Sequence, residues 1–245
     1  MKIIVIIPAR YDSSRFSGKP LALIGGKSMI QRVYKSAKKS KSVTDILVAT
    51  DDKRIVNLVD KFGGKFVFTS KSCRSGADRV AEAADIYGLS SDDIIVNIQG
   101  DQPLLDFRCI DEVVQPFFQG FREMSTLGYK IVNKDEITNP KDVKVVFDRK
   151  GFALYFSRSP IPCSRDEEYS FDTYKHLGVY AYTKNFLEKF KKLKEGKLER
   201  IEKLEQLRAL EYGFKIKVVI TKYDSPEVDL PEDIKRIERM IEGIS

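Results

Sequence analysis

IIVIIPARYDSSRFSGKP, residues 3–20, decides the fold. Its first five residues, Ile3 to Ile7, are all β-branched and read as a buried strand that Pro8 ends. The polar loop behind it carries Arg10, Ser13, Ser14, Arg15, Gly18 and Lys19. In an open α/β sheet, ligands bind in the crevice at the carboxyl ends of the strands. Guanidinium forks, an ammonium and exposed backbone N–H groups at that place suit a polyanion such as a triphosphate. The plainer alternative is a solvated basic loop without a ligand. The Gly-x-x-x-x-Gly-Lys-Ser/Thr pattern of a Walker loop is absent.

Outward from this strand, the first hundred residues alternate. Residues 28–40 have helical spacing, with Ser28 placed to cap them. DILVAT (45–50) is a second strand, and Asp51 and Asp52 open a helix that ends at Gly63 and Gly64. KFVFTS (65–70) is a third strand, ADRVAEAADIYG a helix, and DDIIVNIQGDQP (92–103) a fourth strand with an acidic loop at its end. Alternation of this kind predicts an α/β fold of three layers, a mostly parallel sheet with helices on both faces. The second half is less regular. A helix is expected around 107–119, a strand over 124–132, and a hairpin over 143–157 around Asp-Arg-Lys-Gly. A strand over 176–183, two helices (NFLEKFKKL and LERIEKLEQLRALEYG), a strand over 215–221 and a last helix complete the chain. The segment 159–174 reads as an irregular, partner-facing loop. One domain over 1–245 is expected, with a hairpin-containing subregion around 124–183.

At 245 residues the chain can bury a substantial core. A net charge of +7 favours acidic partners, but its sign alone does not separate nucleotides from nucleic acid or lipid. The lysine clusters lie on helix faces or ends, where solvated charge explains them, and no nucleic-acid motif accompanies them. Three widely spaced cysteines and one histidine exclude a zinc site of the usual spacing and fit a reducing compartment. The apolar run at 3–7 is too short for a signal peptide, and no stretch has the length of a membrane span. A cytoplasmic protein without membrane or nucleic-acid partners is expected.

Several residues can carry chemistry. Asp101 follows a central strand on the same sheet edge as Arg10 to Lys19. Beside a triphosphate it reads as a Mg²⁺ ligand, and otherwise as a turn aspartate. Asp229, before the last helix, is either that helix's cap or a second metal ligand. Ser75 and Gly76 stand at a strand-to-helix junction, which binds anions or a base edge, or is an ordinary helix start. His176 is the single histidine, more often structural than catalytic. Arg158, at a strand end, pairs with a substrate carboxylate or with an ordinary salt-bridge partner. Glu205 and Gln206 lie on a charge-rich helix whose charges are mostly solvated.

Eight segments in order resemble one family, the 3-deoxy-manno-octulosonate (Kdo) cytidylyltransferases: IIPARYDSSRFSGKPL, ILVATDD, SGADR, VNIQGDQP, DVKVVFDRKGFALYFSRSPIP, KHLGVYAYTK, LERIEKLEQLRALEYG and VDLPEDI. The resemblance implies a nucleotide-diphospho-sugar transferase-like fold and a homodimer built partly through the hairpin region. It implies transfer of the cytidylyl group of CTP to a sugar acid, with release of pyrophosphate. By the same resemblance Arg10, Ser13, Arg15 and Lys19 hold the triphosphate, and Ala9, Ser75 and Gly76 contact the cytidine. Asp101 and Asp229 bind Mg²⁺, with Lys19 and Arg15 absorbing charge on the departing pyrophosphate. Gln99, Arg158, His176, Tyr180, Glu205 and Gln206 line the sugar-acid pocket.

The chain departs from the family pattern at four places. Gln102 stands for Glu in QGDEP, Ala77 and Asp78 alter SGTER, Ser17 replaces Pro in PGKP, and Glu227 replaces a glycine. QGDQPL, STLGYKIVNK, KHLGVYAYTK, EQLRALEYG and SPEVD together resemble the branch that activates 8-amino-3,8-dideoxy-manno-octulosonate. There an amine replaces the terminal hydroxyl. An ammonium at that end wants an acidic wall, which Glu227 or the Asp166 to Glu168 loop supplies. Ordinary Kdo is the alternative acceptor. A related cytidylyltransferase for another acceptor is a further rival, opposed by the segments after residue 140. A non-catalytic nucleotide- or nucleic-acid-binding protein is a rival of another class.

Overall fold

A computed structural model describes residues 1–13, 15–73, 75–166 and 171–243. The chain opens on β1 (Ile3–Pro8), followed by a 3₁₀ turn at Lys19–Leu21 and a small hairpin of β2 (Leu23–Ile24) and β3 (Lys27–Ser28). Then come α1 (Met29–Ala37), β4 (Asp45–Thr50), α2 (Lys53–Lys61), β5 (Phe66–Phe68), α3 (Gly76–Ile86) and β6 (Ile94–Ile98). The second half runs α4 (Phe107–Val113), α5 (Gln115–Phe118), β7 (Met124–Lys130), α6 (Asp135–Thr138), β8 (Lys144–Phe147), β9 (Ala153–Ser157) and β10 (Tyr174–Thr183). It closes with α7 (Lys184–Lys192), α8 (Lys197–Glu202), α9 (Gln206–Glu211), β11 (Ile216–Thr221) and α10 (Asp233–Glu242).

The main sheet runs in the order β11-β7-β10-β6-β1-β4-β5, with β8 beside β10 and β9 outside β8. β1 lies parallel to both β4 and β6. β10 runs antiparallel to β6 and β7, which makes the sheet mixed. The strand order reverses beside β1, so the loops leaving β1 and β6 open on the crevice where α/β sheets bind ligands.

The β-branched run behaves as its composition requires. Ile3, Val5 and Ile7 enter one apolar layer with Val33, Val59 and Ile110 from α1, α2 and α4. Ile4 and Ile6 enter the opposite layer with Val80, Phe156, Phe186 and Leu207. A strand buried on both faces can be apolar at every position. Each such side chain contributes about 1.5–3 kcal/mol by leaving water. Ser28 caps α1 through its Oγ, which accepts from Gln31 N at 3.3 Å.

Two expected helices are broken. The helix expected around 107–119 divides at Val114 into α4 and α5, because Pro116 has no N–H to continue the ladder. The single helix expected over LERIEKLEQLRALEYG divides into α8 and α9, with Lys203 left-handed at φ 54°. That break restarts the chain at Glu205 and Gln206, which changes where their side chains go. No helix among the described residues is long and apolar enough to cross a membrane.

Candidate active site

Lys19 stands at the centre of the crevice. The loop behind β1 turns at Gly18, whose φ of 73° favours glycine. A Cβ there would also come within 3.3 Å of the Tyr11 ring. Directly after this turn, Lys19 Nζ donates to Asp101 Oδ2 at 2.7 Å and to the Val228 carbonyl at 3.0 Å. It lies 3.9 Å from Asp229 Oδ1, and Arg15 Nη1 lies 3.0 Å from Asp229 Oδ2. The two acidic loops are also joined through the backbone, where Val228 N donates to the Asp101 carbonyl at 3.0 Å.

Asp229 does not cap α10. Asp233 Oδ2 accepts from the N–H groups of both Asp229 and Leu230 at 2.9 Å. The side chain of Asp229 turns instead to the two cations. Two carboxylates, 26% and 20% exposed, therefore face one ammonium at the sheet edge. All their donors are oxygens, which suits Mg²⁺, an ion held by one or two carboxylates together with phosphate oxygens and water. Among the described residues no group of three or more His, Cys, Asp or Glu side chains forms a metal cage. An ion held here completes its shell from outside the protein.

The nucleotide side assembles on the same edge. Arg10 Nη2 donates to the carbonyls of Cys73 and Ser75 at 2.6 and 3.1 Å, tying the β1 loop to the start of α3. Ser75 Oγ accepts from Asp78 N, and Asp78 Oδ2 accepts from Ser75 N, a reciprocal cap. Gly76 opens the helix close to Pro8. Ala9 is buried and donates to the Ala49 carbonyl at 2.9 Å. Ser13 Oγ accepts from Phe16 N at 3.4 Å, shaping the loop. Ser14 lies outside the described residues.

The third group lies along β10. His176 and Tyr180 stand with ring centroids 5.2 Å apart, and Phe156 meets His176 edge-on at 5.2 Å. Tyr180 OH donates to Gln206 Oε1 at 3.1 Å. Glu205 Oε1 lies 3.8 Å from Arg208 Nη2 and has no hydrogen-bond partner among the described residues, and Ser75 lies close enough to lower its pKa, so the restarted helix α9 abuts the start of α3. Burial raises the Glu205 carboxyl above its usual range. Arg158 is fixed by carbonyls. Its Nε donates to Glu202 O at 2.7 Å and its Nη1 to Pro140 O at 2.9 Å.

Gly178 lies between His176 and Tyr180, at the irregular register of β10 against β7. A Cβ at Gly178 would lie 3.5 Å from Gln99 Cγ, Gln102 Nε2 and Glu227 Oε1 alike. Gln102 Nε2 donates to Glu227 Oε1 at 3.1 Å. Glu227 is exposed as a residue, yet its Oε1 reaches the fully buried Gln102. Desolvation at that depth and the nearby Asp101 carboxylate push its carboxyl up to about 7. Sequence reading marked positions 102 and 227 separately, as departures from a pattern. Their contact joins loops far apart in the sequence, which no local spacing announces. Of the Asp166 to Glu168 loop, Glu167 and Glu168 lie outside the described residues.

His176 also makes a pH signature. Burial pushes its pKa down to about 3, and its Nε2 lies 3.0 Å from Thr126 Oγ1. Between the unfolded value near 6.5 and the folded value, the unfolded chain binds the proton and the folded chain does not. Stability from this group is therefore complete above pH 6.5 and is lost as pH falls toward 3. Urea midpoints from pH 7 to 4 are expected to fall more steeply for the parent than for His176→Gln. Parallel profiles would show that the ring is not held neutral.

Comparison with known proteins gives a consistent picture. The family model described as Cytidylyltransferase matches residues 4–217. The 3-deoxy-manno-octulosonate cytidylyltransferase of Desulfatibacillum aliphaticivorans is 64% identical over 242 residues, covering 98% of this chain and 99% of that one. The 8-amino-3,8-dideoxy-manno-octulosonate cytidylyltransferase of Shewanella frigidimarina is 55% identical over 240 residues, covering 97% and 98%. Among solved structures, a CMP:2-keto-3-deoxy-manno-octonic acid synthetase complexed with CTP superposes with a TM-score of 0.92. Its sequence identity is 38%, with 99% of each chain covered.

Proposed function

The chain belongs to the cytidylyltransferase family, and from that premise we propose that it activates 8-amino-3,8-dideoxy-manno-octulosonate with CTP, giving the CMP-sugar and pyrophosphate. At the coarser level it is a CTP-dependent cytidylyltransferase for a Kdo-type sugar acid. The observation that carries the proposed site is the meeting of Asp101 and Asp229 at Lys19, on loops that come from far apart in the sequence.

The sugar's anomeric hydroxyl attacks the α-phosphorus. One O–P bond forms, the hydroxyl proton passes to solvent water, the bond to the bridging oxygen of the β-phosphate breaks, and pyrophosphate leaves with that electron pair. Such a transfer depends on positioning and charge neutralisation rather than on a covalent enzyme intermediate. Asp101 and Asp229 would hold Mg²⁺. Bound there, the ion supplies positive charge at the α-phosphate and lowers the pKa of the attacking hydroxyl. Arg15 and Lys19 exchange their aspartate partners for triphosphate oxygens and take up charge on the leaving group. Arg10, by bonding the Cys73 and Ser75 carbonyls, orients Ser75 and Gly76 toward the base. His176, kept neutral by its surroundings, serves as a wall and hydrogen-bonding group rather than a cationic one.

Two observations support the amino sugar as acceptor. A relative of 55% identity is named for it. Tyr180 also lies within the electrostatic reach of two carboxylates, Glu205 and Glu227. A sugar acid with only its own negative charge gains nothing from two carboxylates, whereas an ammonium sugar does. Arg158 would take the substrate carboxylate. Plain Kdo is the second reading, favoured by the relative of 64% identity.

Pyrophosphate release with CTP, Mg²⁺ and each sugar separates these. The amino sugar is expected to give a kcat/KM at least about tenfold above the hydroxyl sugar, the size of one charged hydrogen bond. Chelation of the metal is expected to stop release with both. Equal turnover of the two sugars would contradict the acceptor assignment. Nucleotide binding without pyrophosphate release would contradict the enzyme.

A further inference from the structure

We propose that Glu227, with Gln102 behind it, is the counter-ion that selects an ammonium-bearing acceptor. This rests on the acceptor reading above and adds the residues that perform it. The first observation is the charge balance. Glu205 Oε1 lacks a hydrogen-bond partner among the described residues, but it lies 3.8 Å from the Arg208 guanidinium, which balances its charge. Glu227 hydrogen-bonds the neutral amide of Gln102 and feels Lys19 only at a distance, with the carboxylates of Asp101 and Asp229 also near, and among the described residues no lysine or arginine lies within ion-pair distance of its carboxylate. The cation that does bond this residue, Arg236, donates to its backbone carbonyl at 2.8 Å.

The second observation is an orphaned acceptor. Gln102 is fully buried, and its Oε1 has no hydrogen-bond partner among the described residues. Its amide nitrogen is committed to Glu227 Oε1. The pair therefore offers two kinds of acceptor side by side, a carboxylate and a desolvated amide oxygen, with the amide N–H between them already given to Glu227 Oε1. An alkylammonium brings three N–H donors and a positive charge, whereas a hydroxyl brings one donor and none. A buried acceptor left without a donor is costly, and the ligand that supplies the donor is favoured by that difference.

The third observation is access. Gly178 leaves the strand without a side chain where Gln99, Gln102 and Glu227 converge. A small group carried by a sugar lying over His176 and Tyr180 can reach Glu227 Oε1 through that gap. Glu227 is also exposed as a residue, so part of it is open to solvent.

The test measures kcat/KM for both sugars, at saturating CTP and Mg²⁺, in the parent, Glu227→Gln and Glu227→Asp. The amino-to-hydroxyl ratio is expected to fall by about ten- to a hundredfold in Glu227→Gln, mostly through a higher KM for the amino sugar. Glu227→Asp, which keeps the charge, is expected to restore most of the ratio. CTP binding by calorimetry verifies that each variant is folded. A parent that prefers the amino sugar beside a Glu227→Gln variant with the same preference would overturn this assignment and leave the acceptor reading standing. A parent with no preference would overturn both. A rise in the Mg²⁺ requirement for both sugars alike, with the ratio unchanged, would move Glu227 to the metal site and also overturn the assignment.

Discussion

Asp101→Asn lowers the rate of pyrophosphate release by about a hundred- to a thousandfold, and Asp229→Asn does the same, the usual scale for losing a charge-stabilising group at a reacting centre. Asparagine keeps the shape of aspartate and one acceptor oxygen but carries no charge, so the loss reports chiefly on the carboxylate's charge. The fold survives. Lys19 loses a 2.7 Å partner in Asp101→Asn but keeps the Val228 carbonyl at 3.0 Å and Asp229 at 3.9 Å. The stability cost of one such partly exposed pair is about 1 kcal/mol or less. On the proposal that the two aspartates hold one ion, the double variant is expected to be little worse than either single one. Steady-state release assays with thermal melts alongside check this. Near-parental rates in either variant would remove that residue from the metal site.

Lys19→Met gives the second large effect, and it has two opposite readouts. Turnover falls by about a hundredfold or more, because the ammonium no longer takes up charge on the departing pyrophosphate. Methionine retains most of the apolar stem, so the loop keeps its packing. At the same time, the nucleotide-free protein binds a divalent cation more tightly. In the parent, Lys19 occupies the position between Asp101 and Asp229 and competes for their charge. Its removal leaves two carboxylates on adjoining loops with only Arg15 beside Asp229. Titration with Mn²⁺, followed by the loss of free-ion paramagnetic resonance, is expected to show severalfold tighter binding in Lys19→Met. Weaker binding would mean that the lysine orders the site rather than competing for it.

Much of this was legible in the residues, and the reasons are physical. Ile3 to Ile7 could be read as a doubly covered central strand because no polar residue interrupts it. The loop behind it, and the acidic loop at Asp101, then had to share an edge, since parallel neighbours present their carboxyl ends together. The pairing of Asp101 with Asp229 was only an expectation. It depends on Val228 N reaching the Asp101 carbonyl, a contact between residues far apart in sequence. The ion pairs of Lys19 were not foreseen at all. Sequence assigns a lysine near phosphates to the phosphates and does not reveal what holds it in their absence.

Other features stayed hidden for local reasons. The break at Lys203 carries no glycine or proline, and the surrounding charges have good helical spacing. Tertiary contacts decide it, placing Gln206 against Tyr180. Burial of lysines was also invisible. Lys175, at the head of β10 beside His176, is enclosed and held by Glu136 at 2.8 Å and Asp224 at 3.0 Å. Glu136 lies on α6, a one-turn helix too short to leave a periodic signal.

A crystal of the protein with Mn²⁺ and a non-hydrolysable CTP analogue, measured at the manganese absorption edge, tests the centre of this account most directly. An anomalous peak bonded to carboxylate oxygens of both Asp101 and Asp229, with Lys19 moved onto the triphosphate, is the predicted result. A peak that touches neither aspartate, with Lys19 still bonded to Asp101, would contradict it.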